Sequence, residues 1–372
     1  MYPRNAWYAA SWAADLGREL TPVTVCDRKI VLYRQLDGTP TALADACWHR
    51  LVPLSMGFLR GDDVVCGYHG IAYDPAGRCT FMPSQETLNP SASVASFPVV
   101  ERDRVIWVWV GDPALADPGK VPDMHWASDP AWAGAGETIE LECDYRLVLD
   151  NLMDLTHETF VHGSSIGQDA VAETPFTVSH TDDRVTVTRW MLGVQAPPAW
   201  KYEMELAHPE WDGGPVDRWQ IIHWQAPSTI CIDVGVAPAG TGAQQGDFSQ
   251  GVRGWVLDTV TPKTATTSSY FWMRMRNHTL ESEEITRDLT AAVHRIFGED
   301  TAMLNAQQEA IDAHPDYDFY NLNIDGGGMW VRRLLDRLVA AEGDGQPHAR
   351  AAVTAPSTQA APAPDPMPAG SA

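Results

Sequence analysis

Two short cysteine–histidine pairs constrain this 372-residue chain more than any other feature. Cys47 and His49 are separated by one residue, and Cys66 and His69 follow after the 16 residues of the stretch 50–65. Two thiolates on one iron and two imidazoles on the other are the ligands of one type of [2Fe–2S] cluster. The same four ligands also suit tetrahedral zinc, so the ligand types alone leave both metal centres open.

The sequences that flank the two pairs favour the cluster. The first reads C-W-H-R-L-V-P-L-S and the second reads C-G-Y-H-G-I-A-Y-D-P-A-G-R-C. They resemble the two loops of Rieske oxygenases, including Arg50 after the first histidine. Trp48 stands where that family usually carries proline, which concerns the stiffness of the loop and not its ligands. The resemblance implies a Rieske [2Fe–2S] cluster held by Cys47, His49, Cys66 and His69.

The charge and the cysteines narrow the class of protein. The chain has 26 basic and 49 acidic residues, a net charge of −23, which argues against nucleic acid as a partner. No charged-then-apolar leader begins the sequence, and the longest apolar runs, such as Val105–Val110, have the length of a strand. We therefore expect a cytoplasmic protein that does not enter a membrane. A reducing compartment also fits the four remaining cysteines, which are Cys26, Cys79, Cys143 and Cys231.

Changes in pattern divide the chain into three regions. Short strands and turns fill residues 1–115, which predicts a small all-β domain. A Pro-rich polar stretch follows, and then strands and a long helix over 281–313 predict an α+β domain over residues 116–346. The Ala/Pro-rich end, residues 347–372, cannot bury enough apolar surface to offset its ordering entropy, so we expect it to be disordered.

A second candidate metal site lies in residues 150–162, which read D-N-L-M-D-L-T-H-E-T-F-V-H. Asp154 and His157 are three residues apart and would share one face of a helix. His157 and His162 are five apart, about 140° around an ideal helix. They could bind one ion only if the helix distorts or ends between them. Two histidines in a helical segment are by themselves more often structural.

A third ligand should be a carboxylate, because two histidines and one carboxylate on one face of Fe(II) leave positions open for O2 and substrate. On the predicted helix 281–313, Asp300 falls on an apolar stripe, and Glu299 is rotated off it by about 100°. A carboxylate on a buried face is costly unless it is paired or bound to metal. The alternative is that Gly298 breaks the helix and Asp300 caps the next one.

The motif N-x-x-D-x-x-H-x-x-x-x-H, which begins at Asn151, resembles the mononuclear iron motif of Rieske non-haem iron oxygenases. The resemblance implies that His157, His162 and Asp300 bind Fe(II), and that Asn151 and Asp154 are catalytic positions. In that family the motif aspartate connects an iron-ligand histidine to the cluster of a neighbouring subunit. The partner of Asp154 across that boundary would be His49 or His69.

Further segments resemble the oxygenase components of vanillate O-demethylases over roughly residues 1–342. They include M-Y-P-R-N-A-W-Y at the start and N-L-N-I-D-G-G-G near the end. This resemblance implies a Rieske domain followed by a helix-grip-like catalytic domain of antiparallel sheet and helix. It also implies O2-dependent hydroxylation of an aryl methoxy group, which converts vanillate to protocatechuate and formaldehyde. The implied partners are a further copy of the chain in a homotrimer and a reductase, with flavin and a ferredoxin-type cluster, that draws electrons from NADH.

Other functions remain open at this point. The chain could act on another methoxyarene, such as syringate or veratrate, or hydroxylate a ring. A non-catalytic electron carrier or a zinc-stabilised binding module is a further alternative, although a simple carrier needs only the first third of the length. Arg218 and His223, on a predicted strand, are candidate contacts for a small aromatic acid, because arginine pairs with carboxylates. Ordinary alternation on a sheet would explain both residues equally well.

Overall fold

The computed structural model describes residues 1–343. The predicted disordered tail, residues 347–372, lies outside the described residues. Within them, no helix has the length and apolar character needed to cross a membrane. All six cysteines lie in this part of the chain as free thiols.

The N-terminal region folds into three small antiparallel sheets with strand orders β1-β11-β10, β2-β3-β4-β9 and β5-β6-β7-β8. Their strands are short because turns interrupt the chain every few residues. Ile30, Leu32 and Val108 are buried together in one core between the sheets. Their strand neighbours Val31 and Trp107 are buried as well, each in a separate cluster. The strands are β1 Trp7–Trp12, β2 Thr21–Val25, β3 Arg28–Arg34, β4 Pro40–Ala44, β5 Phe58–Arg60, β6 Asp63–Val65, β7 Ala72–Tyr73, β8 Cys79–Phe81, β9 Ser96–Phe97, β10 Val99–Arg102 and β11 Val105–Trp109.

The rest of the described chain is built on one seven-stranded antiparallel sheet of order β12-β18-β17-β16-β15-β14-β13. Its central strands are buried on both faces, so they read as nearly continuous apolar runs and not as a clean alternation. The strands are β12 Ala133–Leu141, β13 Phe176–His180, β14 Arg184–Val194, β15 Val216–Gln225, β16 Thr229–Pro238, β17 Val252–Pro262 and β18 Ser268–Arg276.

Helices cover one face of this sheet. The α-helices are α1 Tyr145–Met153, α2 Glu158–Val161, α3 Asp169–Glu173, α4 Pro198–Ala207, α5 Glu283–Ala313 and α6 Gly326–Gly343. Short 3-10 turns lie at Leu54–Met56, Pro113–Leu115, Pro118–Lys120, His125–Ala127, Leu155–His157, Ala243–Gln245 and Asn323–Asp325. Trp224 and Trp272 of the sheet are buried in one core with α1, α5 and α6. On the opposite face, Trp255 and Phe271 pack against Trp107 of the N-terminal region.

The fold confirms the predicted α+β class and corrects two local expectations. Helix α5 continues through Gly298, so the alternative in which this glycine ends one helix and Asp300 caps another is wrong. The helical segment that carries Asp154, His157 and His162 is not one continuous helix. Helix α1 ends at Met153, and a 3-10 turn over Leu155–His157 separates it from the single turn of α2.

Candidate metal centres and the cavity between helices and sheet

The two cysteine–histidine loops have the same hydrogen-bonding pattern. The N–H of Cys47 donates to Val52 and its carbonyl accepts from Leu51, at 2.9 and 2.8 Å. Cys66 makes the equivalent bonds with Ile71 and Gly70, at 2.8 and 2.9 Å. Both cysteines are buried. Each loop is therefore a closed turn that holds its thiol inside the domain.

The histidines of these loops lie at the surface, with His49 and His69 both exposed and their ring centroids 4.8 Å apart. Two buried thiols and two adjacent exposed imidazoles would supply the ligands that a Rieske [2Fe–2S] cluster requires. Within the loops, Cys47 Sγ lies 3.1 Å from the hydroxyl of Tyr73, which also accepts from the N–H of Trp48 at 3.2 Å. Burial raises the pKa of the Cys47 thiol, and the hydrogen bond with Tyr73 acts in the opposite direction.

His157, His162 and Asp300 come together at a second site, with one ligand atom from each within 4.8 Å of the others. The two histidines lie at the two ends of the single turn α2. The carboxylate of Asp154 accepts from the N–H of Thr156 at 2.9 Å and caps the 3-10 turn that carries His157. His162 is the residue that ends α2.

Each histidine presents Nε2 to Asp300, because its Nδ1 is already engaged. The distances from Asp300 Oδ1 to Nε2 are 3.4 Å for His157 and 3.2 Å for His162. His157 Nδ1 lies 2.7 Å from the backbone carbonyl of Asp154, and His162 Nδ1 lies 2.6 Å from Glu299 Oε2. The amide of Asn151 donates to Asp300 Oδ1 at 3.2 Å. Two imidazoles and a carboxylate fit a non-haem Fe(II) centre.

The charges around His162 also suit a cation. Burial lowers the pKa of His162, but its contacts with Asp300 and Glu299 outweigh that effect and leave the pKa above its ordinary value. The two carboxylates thus stabilise a positive charge at this place, as the surroundings of a metal ion do. Glu299 lies off the buried stripe of α5, so the helical period gives no reason to expect it at this site.

A cavity of about 100 Å³ extends from this site between the helices and the sheet. Its walls are mainly apolar, as an aromatic ring requires. They include Leu152, Ile166, Trp200, Val234, Val293 and Phe297.

Arg218 lines this cavity, but its terminal nitrogens are occupied. Nη2 donates to Glu158 at 2.9 Å, and Nη1 donates to the carbonyl of Ile166 at 3.0 Å. Gln220 also donates to both oxygens of Glu158, at 2.9 and 2.8 Å. Arg274, another residue of the wall, is paired in the same way with the buried Glu203. A bidentate contact between Arg218 and a substrate carboxylate would therefore first break a buried ion pair.

His223 does not reach the cavity, which corrects its proposed role as a substrate contact. Residues 218 and 223 are an odd number of positions apart on β15, so their side chains lie on opposite faces of the sheet. The ring of His223 lies 3.2 Å from Thr186 Oγ1 and packs near Trp255. Burial lowers its pKa, so it is a neutral part of the other face.

Known families match both parts of the chain. A family described as the Rieske [2Fe-2S] domain matches residues 6–98, and one described as the vanillate O-demethylase oxygenase C-terminal domain matches residues 141–341. The chain belongs to the vanillate O-demethylase oxygenase family. It is therefore a Rieske non-haem iron monooxygenase, the oxygenase component of a system that also has a reductase. The predicted domain boundary near residue 115 lies between the matched segments and stays a prediction.

Individual relatives are similar to this chain over nearly its whole length. A vanillate O-demethylase oxygenase subunit from Pseudomonas sp. (strain HR199 / DSM 7063) is 41% identical over 345 residues, which is 92% of this chain and 96% of the relative. The oxygenase component of dicamba O-demethylase from Stenotrophomonas maltophilia is 36% identical over 92% of this chain and 99% of the relative. A crystal structure of dicamba monooxygenase with non-heme iron and dicamba superimposes with a TM-score of 0.78, at 31% identity, over 92% of this chain and 98% of that chain.

The buried pair of Arg218 and Glu158 generates the first prediction. Replacing Arg218 by Met leaves Glu158 buried without its cation, which should cost about 3–5 kcal/mol of unfolding free energy. Adding Glu158→Gln removes the stranded charge, so the double variant should recover much of that loss. Chemical denaturation of the single and double variants measures both effects.

The exposed pair of Lys201 and Glu205 provides the matched control, because it lies 3.8 Å apart with both side chains more than half exposed. Lys201→Met should cost less than about 1 kcal/mol. If Arg218→Met proves as stable as the parent protein, or the double variant less stable than the single, Arg218 does not serve to neutralise Glu158.

Proposed function

We propose that the protein is the terminal oxygenase of a two-component O-demethylase that converts vanillate to protocatechuate and formaldehyde. This proposal rests on one observation: His157, His162 and Asp300 converge at one end of a mainly apolar cavity. The names of the two O-demethylase relatives support a methoxy group as the point of attack. The balanced reaction consumes one vanillate, O2, NADH and a proton, and yields protocatechuate, formaldehyde, water and NAD⁺.

In this proposal the four loop residues Cys47, His49, Cys66 and His69 hold the cluster, and His157, His162 and Asp300 hold the iron. The cluster supplies single electrons, and the iron supplies the site at which O2 is activated and the methyl C–H bond is oxidised. The protein contributes binding, orientation and exclusion of water. Asn151 holds the carboxylate of Asp300 through its amide, which fixes that ligand from the α1 side.

The apolar wall has a defined task in this reaction. Residues such as Trp200 and Phe297 hold the aromatic ring, so that the methoxy group lies at the end of the cavity where the three ligands meet. Hydroxylation of the methyl group gives a hemiacetal. The bond between the aryl oxygen and the methylene carbon then breaks, the aryl oxygen takes up the proton that the hemiacetal hydroxyl loses, and formaldehyde leaves without any further oxidant. Syringate or veratrate would follow the same course, whereas ring hydroxylation would release no formaldehyde.

Two exposed apolar patches support a homotrimer with head-to-tail contacts. One surrounds the cluster loops and includes Leu51, Met56 and Tyr68, each more than 60% exposed. The other lies beside the iron ligands and includes Phe160 and Met303, at 78% and 59% exposed. Patches on different surfaces of one chain fit a heterologous contact, which closes into a ring if the rotation allows it.

In the proposed trimer, each patch around the cluster loops packs on the iron side of the next subunit. Asp154 then connects His157 to His49 or His69 of the neighbour. A reductase with flavin and a ferredoxin-type cluster supplies the electrons from NADH, and we place the system in the cytoplasm.

Product analysis tests the proposed reaction. Reduced protein with iron loaded should convert vanillate to protocatechuate and formaldehyde in equal amounts when O2 is admitted. Asp300→Ala removes one of three ligands, so it should abolish product while the EPR signal of the Rieske cluster remains. Asp288→Ala, at an exposed position of the same helix, is the control and should stay active. A hydroxylated ring without formaldehyde would point to the alternative reaction.

Mixed trimers test the route of the electrons. Cys66→Ser lacks the cluster and Asp300→Ala lacks the iron, so each should be inactive alone. When the two are co-expressed in equal amounts, about a quarter of the parent activity should return, because one in four random neighbour pairs joins an intact cluster to an intact iron. Sedimentation equilibrium verifies the trimer. An inactive mixture of confirmed trimers would contradict electron transfer between subunits.

The contact of Tyr73 with Cys47 predicts a change in reduction potential. A hydroxyl that donates to a thiolate stabilises the reduced, more negative cluster. Tyr73→Phe should therefore lower the potential by roughly 40 mV, the equivalent of about 1 kcal/mol for one electron. Tyr33→Phe is the control, since the hydroxyl of that buried tyrosine donates to the carbonyl of Asp62 instead. An unchanged potential, measured by EPR-monitored titration, would exclude this role for Tyr73.

A further inference from the structure

Two consecutive residues of α5 hold the ring of His162 from both sides. Glu299 Oε2 lies 2.6 Å from Nδ1, and Asp300 Oδ1 lies 3.2 Å from Nε2. Residues that follow each other on a helix point about 100° apart, so the two carboxylates reach different edges of one ring. His162 itself is only 1% exposed, which leaves its imidazole little freedom to turn.

The two histidines of the site differ in the group that holds Nδ1. For His157 it is the neutral backbone carbonyl of Asp154, at 2.7 Å. For His162 it is the carboxylate of Glu299. A hydrogen bond to an ionised acceptor is stronger than one to a neutral acceptor. A carboxylate on the far nitrogen of a metal-binding histidine also fixes the tautomer and makes the imidazole a stronger ligand.

We propose that Glu299 is a positioning residue of the iron centre. Its carboxylate accepts the Nδ1–H of His162, fixes the tautomer that leaves Nε2 free for the metal, and makes His162 a stronger ligand than His157. This inference rests on the iron centre of the proposed function and assigns to it a fourth residue, one that acts through His162 without touching the metal.

The position of Glu299 makes the proposal testable without loss of the fold. Its side chain is 45% exposed, so its removal buries no unpaired charge. Helix α5 continues for more than ten residues on either side of it. Glu299→Ala removes the contact, and Glu299→Gln keeps an acceptor of nearly the same shape without its charge. Glu309→Ala, at an exposed position of the same helix, is the matched control.

Metal affinity is the measurement that distinguishes a positioning role of Glu299 from a purely structural contact with His162. The full-length protein, with its cluster intact and its mononuclear site stripped by a chelator, is titrated anaerobically with Co²⁺ and followed by visible absorption. Glu299→Ala should bind Co²⁺ 10- to 100-fold more weakly than the parent, with a spectrum of the same shape because the ligands are unchanged. Glu299→Gln should fall between the two, and Glu309→Ala should match the parent.

Two results would overturn the assignment. One is parent-like Co²⁺ affinity in Glu299→Ala. The other is a Glu299→Gln variant that binds Co²⁺ like the parent while Glu299→Ala has a lower melting temperature in the metal-free state, which is the pattern of a purely structural contact. His157→Ala and Asp300→Ala test the iron centre separately. If they too bind Co²⁺ like the parent, the proposed function fails; if they lose binding and Glu299→Ala does not, only the role of Glu299 fails.

Discussion

The position of His157 and His162 at the two ends of the single turn α2 is the local feature on which the candidate iron site depends. Both imidazoles reach Oδ1 of Asp300 from there, although five residues along an ideal helix correspond to about 140°. The side chain of Asp154 accepts from the N–H of Thr156, starts a 3-10 turn and so redirects the chain. Its backbone carbonyl then holds Nδ1 of His157. One residue thus breaks the helix and orients the first histidine that follows the break.

Buried charge in the cavity wall is organised as neutral pairs. Glu158 directly follows His157, and Arg218 and Gln220 of β15 both bind it. The carboxylate of Glu203 on α4 accepts hydrogen bonds from both Arg274 and His278. Burial raises the pKa of Glu203, but Arg274 and, to a smaller extent, His278 outweigh burial and leave this pKa below its ordinary value. Isolated charges in such a place would be expensive, whereas pairs with satisfied hydrogen bonds are tolerated. The pairs also tie α2 and α4 to the sheet, so the wall of the cavity and the segment that carries the first histidine are fixed by the same contacts.

Local geometry explains what the sequence could predict. Asp300 stood out because the period of a helix assigns each residue to a face, and a carboxylate on an apolar face calls for a partner. The loops with Cys47 and Cys66 stood out because their ligands lie close together in the chain. The role predicted for His223 as a substrate contact was wrong, because it did not take into account that side chains alternate between the two faces of a strand. Since β15 alternates faces, a residue five positions from Arg218 had to lie on the far side of the sheet.

The contacts that the sequence could not supply join residues distant in the chain. Tyr73 reaches Cys47 across 26 positions, and Glu299 reaches His162 across 137. Neither contact has a period or a spacing that would reveal it. Glu299 in particular lies on a half-exposed face of α5, where the helical period predicts that a side chain contacts only solvent. Long, flexible side chains at the edge of a buried face can turn back towards the site, and only the position of α5 beside His162 determines that this one does.

The two histidines of the proposed iron centre consequently differ in their exposure and in the groups that hold them. The side chain of His157 is 20% exposed, follows directly after the turn that Asp154 caps, and has only a backbone carbonyl on Nδ1. In the proposed trimer it lies on the side where an electron from the neighbouring subunit would arrive. His162 is buried and held by two carboxylates of one rigid helix. In the proposed trimer, a centre built in this way would keep one ligand near the subunit boundary and the other fixed in the interior, so that contact with a partner need not disturb the geometry of the cavity.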